Sequence, residues 1–119
     1  MNILIVEDDK VLSLMLHRMI ERLGHAIAGS TATGKEAIEF AVTLDCDLIL
    51  MDIMLEDEID GILAYSEIRK RNKNIPVIYI TGNSDPVNKE RAIKEGYHDY
   101  IIKPVIFDDL KRSIDELDQ

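Results

Sequence analysis

The sequence predicts an α/β fold, a doubly wound parallel sheet of five strands with five helices, and three observations carry that prediction. Short runs rich in Ile, Leu and Val alternate with stretches whose apolar residues recur every three or four positions. Most of the runs are apolar throughout rather than alternating with polar residues, as expected of strands buried on both faces. Parallel neighbours also need crossovers, and the intervening helices supply them with right-handed connections on both faces.

In chain order, residues 3–6 form the first strand. Val11, Leu12, Met15, Leu16, Met19, Ile20 and Leu23 then make the apolar stripe of a helix, with Gly24 placed to end it in a left-handed conformation. Residues 26–29 are the second strand, the weakest of the set, and Ala37, Ile38, Ala41 and Val42 mark the second helix. Residues 48–51 are the third strand, followed by a helix striped with Ile62, Tyr65 and Ile68. Residues 77–80 are the fourth strand, and a helix near 86–95 offers only Val87, Ala92 and Ile93 as an apolar face. Residues 100–102 are the fifth strand, and Phe107, Leu110, Ile114 and Leu117 stripe the last helix.

A chain of 119 residues suits one domain, and 46% hydrophobic with 31% charged residues is ordinary globular composition. The expectation is a single domain over 1–119, with no output domain in this chain, and a cytoplasmic location. No run approaches the roughly 18 apolar residues of a membrane span. The net charge of −9 disfavours phosphate backbones and anionic membranes as partners. Cys46 is a lone structural thiol, and His17, His25 and His98 are scattered, so no zinc site is expected.

In an open α/β sheet the functional crevice lies beyond the carboxyl ends of the strands. Glu7 and Asp8 follow the first strand, Asp52 the third, Thr81 ends the fourth and Lys103 follows the fifth. Acids, a hydroxyl and an amine on one end of the sheet are the parts of a phosphoryl-transfer site. Three carboxylates against one ammonium leave a negative surplus, for which Mg²⁺, a hard ion that prefers oxygen, is the natural counterion. With the metal in place Asp52 is the candidate nucleophile, already ionised at pH 7 and needing no general base. Asp9 is assigned to the start of the first helix, where its charge suits the helix dipole.

At these residues the sequence closely resembles the receiver domain of two-component response regulators, through LIVEDD, LILMDIML with Asp60-Gly61, VIYITG and GYHDYIIKPV. The resemblance implies the flavodoxin-like receiver fold with strand order 2-1-3-4-5. It further implies that Asp52 takes phosphate from a histidine kinase or phosphotransfer protein, and that Glu7 and Asp8 are the acidic pair. Mg²⁺ is then bound by Asp8 and Asp52 with the Met54 carbonyl, beside Glu7. Thr81 and Tyr100 match the switch hydroxyl and aromatic, Lys103 the family lysine, and Lys103-Pro104 a cis peptide. In the family the phosphoryl group draws the hydroxyl inward and the aromatic turns with it. This remodels the face of the fourth helix, fifth strand and fifth helix, which meets a downstream protein target. Such a chain catalyses its own phosphorylation and dephosphorylation, binds neither nucleic acid nor membrane directly, and is a monomer or a phosphorylation-linked dimer.

Three departures from the family pattern stand out. Glu56 occupies a frequent proline position, in a loop about one residue longer and more acidic than usual. Val105 replaces a frequent phenylalanine, which predicts looser packing there. Met54 and Asn83 occupy variable positions and are expected to tune phosphate lifetime. The alternatives are a small Mg²⁺-dependent aspartyl-phosphate phosphatase and a phosphate relay intermediate. The phosphatase is disfavoured because VEDD lacks the Asp-x-Asp spacing such enzymes often use. A flavin-binding protein is disfavoured because acids replace its phosphate loop.

Overall fold

The computed structural model describes residues 1–71, 74–82 and 85–118. Its strands are β1 (Asn2–Val6), β2 (Ala26–Thr31), β3 (Leu48–Met51), β4 (Val77–Thr81) and β5 (Asp99–Ile102). They form one parallel sheet in the order β2-β1-β3-β4-β5. The helices are α1 (Lys10–Arg22), α2 (Gly34–Thr43), α3 (Gly61–Lys70), α4 (Pro86–Glu95) and α5 (Phe107–Leu117).

Successive strand residues point to opposite faces, and both faces are apolar, so the sheet carries two cores. Leu4, Val6, Ile49, Met51, Val77 and Tyr79 pack with Ala37, Ala41, Ile62, Ile68 and Ala92 from α2, α3 and α4. On the other face Ile3, Ile5, Leu50, Ile78 and Ile80 pack with Leu16 and Ile20 of α1 and Leu110 and Ile114 of α5. Side-chain caps begin four of the helices: Asp9 for α1, Thr33 for α2, Asp60 for α3 and Asp85 for α4, each accepting from the first turn. Gly24 follows α1 with φ +87°, the left-handed ending expected of it.

The structure differs from expectation most at β2, α1 and α4. β2 runs on to Thr31, because Ser30 and Thr31 pair with Ile5 and Val6 in the ladder although both are polar and fall outside any apolar run. The α1 stripe is wider than the face that packs. At about 100° per residue its seven positions span about 180°. Leu16 and Ile20 are buried, while Val11 and Met15, on the far flank, are 71% and 45% exposed. In α4 only Ala92 is buried, with Val87 and Ile93 exposed. Val105 is buried beside Leu110 and Ile114, so the smaller side chain still joins the core. Cys46 is buried. Among the described residues no helix is long and apolar enough to cross a membrane.

Candidate functional site

The sheet's backbone pairing continues one residue past three of its strands, and this fixes where the polar side chains start. Glu7 N–H donates to the Thr31 carbonyl at 2.9 Å, Asp52 N–H to Val6 at 2.9 Å, and Lys103 N–H to Thr81 at 2.8 Å. Gly61 opens α3 directly against this edge, where a Cβ would lie 2.2 Å from the Asp52 carbonyl oxygen, so no larger residue fits.

Asp52 and Glu7 are each 4% exposed, and Asp8 is half-buried. One carboxylate oxygen from each of the three lies within 4.8 Å of the others. Lys103 reaches in from the end of β5, and its Nζ donates to Asp52 Oδ2 at 3.0 Å and lies 3.0 Å from Glu7 Oε1. The other Asp52 oxygen accepts the Met54 N–H at 3.2 Å, and Glu7 Oε2 accepts the Asp9 N–H at 3.2 Å. Thr81 is 1% exposed at the end of β4.

Burial pushes the Glu7 carboxyl up to about 7, and the neighbouring Asp52 pushes the same way while Lys103 opposes. Burial also works against the Lys103 ammonium, but Asp52 and Glu7 together outweigh it and hold its pKa above the ordinary lysine value. One ammonium thus faces three carboxylates. That surplus, on an all-oxygen donor set, fits a hard divalent cation such as Mg²⁺.

The remaining sequence-selected residues fall around this edge. Met54 is 61% exposed, with its N–H on Asp52. Tyr100 is half-buried on β5, in register with Tyr79 of β4. Pro104 follows a cis peptide, as the resemblance implied. Glu56 is exposed and lines an open cleft with Glu7, Asp8 and Glu36. Asp9 caps α1, accepting the Val11 N–H at 3.0 Å. Asn83 lies outside the described residues.

Three contacts escaped the sequence reading. Asp57, inside the acidic loop, accepts the Gly34 and Lys35 N–H groups at 2.8 and 3.0 Å and so ties that loop to the start of α2. Arg91 of α4 makes a two-pronged pair with Asp60 at the start of α3. Lys89 of α4 lies over the Tyr100 and Tyr97 rings. Each joins residues distant in sequence; the run of acids in LEDEI was the one available signal.

Comparison with known proteins agrees with this geometry. The family model described as response regulator receiver domain matches residues 3–115. The chemotaxis protein CheY of Thermotoga maritima is 35% identical over 102 residues, covering 86% of this chain and 84% of that protein. A probable C4-dicarboxylate response regulator, DctR, of Halalkalibacterium halodurans is 30% identical over 118 residues, 98% of this chain. The match spans only 51% of that relative's length. Among solved structures, the receiver domain of a sensor histidine kinase from Pseudomonas aeruginosa has a magnesium ion coordinated in its active-site cleft. It superposes with a TM-score of 0.88 at 30% identity, covering 99% of this chain and 98% of that one. A five-stranded 2-1-3-4-5 sheet with its acids gathered at one edge, matched over nearly its whole length, makes the chain a member of the response regulator receiver domain family of two-component, phosphorylation-dependent signalling.

Proposed function

We propose that Asp52 accepts a phosphoryl group from the phosphohistidine of a histidine kinase or phosphotransfer protein and that the resulting aspartyl phosphate is the signal. An Asp52 oxygen attacks phosphorus, the P–N bond breaks as the P–O bond forms, and the imidazole leaves with the bonding pair and takes up a proton. The observation that carries this reading is Asp52 itself: buried, hydrogen-bonded to the Lys103 amine and the Met54 N–H, and within 4.8 Å of two more carboxylates.

Glu7, Asp8 and Asp52, with the Met54 carbonyl, are the residues to hold Mg²⁺, which when bound offsets carboxylate repulsion and the charge of the transferring phosphoryl oxygens. Lys103 already touches Asp52, so its ammonium is in place to pair with a phosphoryl oxygen on that residue. The Thr81 hydroxyl is the neutral donor for a second oxygen, and Tyr100 follows it inward as the aromatic of the switch. Apolar side chains at Val87, Ile93, Ile102 and Ile106 are exposed on α4, on β5 and at the start of α5, which suits the docking of a downstream protein there. Met54, exposed beside Asp52, is assigned a part in setting phosphate lifetime, together with Asn83.

The reading is tested by incubating the chain with a small phosphodonor and Mg²⁺ and recording intact mass. The expected result is one added phosphoryl group in the wild type and none in Asp52→Asn. A wild type left unmodified under conditions that label other receivers overturns it.

A further inference from the structure

We propose that Lys89 of α4 is a positioning residue that holds the Tyr100 ring in its buried place and so sets the resting balance of the switch. The proposal rests on the reading of Tyr100 as the switch aromatic. α4 is the helix with the least apolar anchorage, burying Ala92 and leaving Val87 and Ile93 exposed. Cations hold it instead, and Arg69 of α3 meets its last residue, Glu95, at the carbonyl and the carboxylate. Arg91 donates from Nη1 and Nη2 to Asp60 Oδ2 and Oδ1 at 2.8 and 3.2 Å, toward α3. Lys89 places Nζ 3.9 Å from the Tyr100 ring centroid and 5.1 Å from that of Tyr97, toward β5. Residues two apart on a helix face different ways, so these contacts fasten α4 to different neighbours.

Tyr100 itself sits on a balance. Its ring packs at 6.0 Å from Tyr79 and 5.7 Å from Tyr97, which favours the buried place. Its hydroxyl is buried and finds no hydrogen-bond partner among the described residues, which opposes it. A ring held by opposing contributions of similar size is a two-state element, and an ammonium on its face is enough to tilt it. Lys89 is half-exposed and lies in neither core, so its charge can be removed without emptying space in the interior.

The test compares wild type with Lys89→Met, which keeps length and loses charge, and Lys89→Arg, which keeps a cation for the ring. In the unphosphorylated chain, tyrosine-ring NMR, with the Tyr100 signal assigned through Tyr100→Phe, should show the buried-to-exposed ratio falling about fivefold in Lys89→Met and little in Lys89→Arg. Labelling of Asp52 by a small phosphodonor should slow by a similar factor in Lys89→Met. That difference should vanish in a Tyr100→Ala background, where the ring is absent. An unchanged Tyr100 signal in Lys89→Met, or an equal slowing without the Tyr100 ring, overturns the proposal. Should Asp52 never be labelled, the phosphoacceptor reading fails, while the NMR comparison still decides the role of Lys89.

Discussion

The two ends of the helical shell are held in place by different forces. On one face α1 presses Leu16 and Ile20 into the sheet beside Leu110 and Ile114 of α5, a mainly apolar contact to which Arg22 of α1 adds a guanidinium 4.5 Å from the Phe107 ring centroid. Across the sheet α4 contributes Ala92 to the core and is fastened besides by Arg91 to Asp60, by Arg69 of α3 to Glu95 and by Lys89 to tyrosine rings. Apolar burial is short-ranged, densely packed and intolerant of displacement. Charged contacts at a partly wet surface are weaker and can be exchanged for water at little cost. The difference teaches which part of the molecule is scaffold and which part is free to answer a change of charge at Asp52.

Ile20→Ala should produce the largest loss on the scaffold side, because its fully buried side chain leaves a cavity in a close-packed core. About 2–5 kcal/mol is expected from urea unfolding. A loss below about 1 kcal/mol would break the contrast, since α1 would then be no better anchored than α4.

At the charged edge, the largest effect should come from the cation. Mg²⁺ at a hundred times its dissociation constant should stabilise the folded chain by about 2.7 kcal/mol, seen as a higher melting temperature. Asp8→Ala removes a carboxylate from the cluster of three, so its melting temperature should hardly respond to Mg²⁺. A full Mg²⁺ response in Asp8→Ala would remove Asp8 from the binding set.

A smaller effect is expected from protons when metal is chelated away. Glu7 has a folded-state pKa of about 7 against an ordinary value of 4.5. Between those values the folded chain binds the extra proton, so stability contributed by protonated Glu7 is present at pH 4.5 and is lost as pH rises through 7. Melting curves in chelator at pH 5 and pH 7.5 should therefore show a fall that Glu7→Gln lacks. Identical pH dependence in both proteins would mean that Glu7 is ionised throughout.

Arg91→Ala should cost least, about 0.5 kcal/mol, because both partners are partly solvated and salt screens them. Hydrogen exchange is the sharper readout: α4 amides should exchange faster while those of α1 stay unchanged. Equal acceleration in the two helices would mean that Arg91 supports the fold as a whole.

How much of this was legible in the sequence depended on range. Continuous apolar runs and period-3.6 stripes are local, so the runs ending at Val6 and Met51 and the stripe through Leu16 and Ile20 announced themselves. The candidate site was legible for the same reason, since Glu7, Asp8, Asp52, Thr81 and Lys103 each sit where a readable strand ends. Ser30 and Thr31 were not assigned to a strand because they are polar and extend no apolar run, and their place in the sheet shows only in their pairing with Ile5 and Val6. Periodicity likewise cannot say how wide a face packs, so Val11 and Met15 read as core and are exposed. The clasps Asp57 to α2, Arg91 to Asp60 and Lys89 to Tyr100 each join residues from separate elements, and single-residue patterns do not encode partners.

The most direct measurement is chemical trapping of the phosphorylated residue. An aspartyl phosphate is an acyl phosphate, so borohydride reduces it to homoserine and marks the site in the peptide chain. After reaction with a small phosphodonor and Mg²⁺, reduction and peptide sequencing by mass spectrometry should find homoserine at position 52 and unmodified aspartate at Asp8, Asp57 and Asp60. Homoserine at one of those positions instead, or none in a protein whose intact mass has gained a phosphoryl group, would contradict the assignment of Asp52.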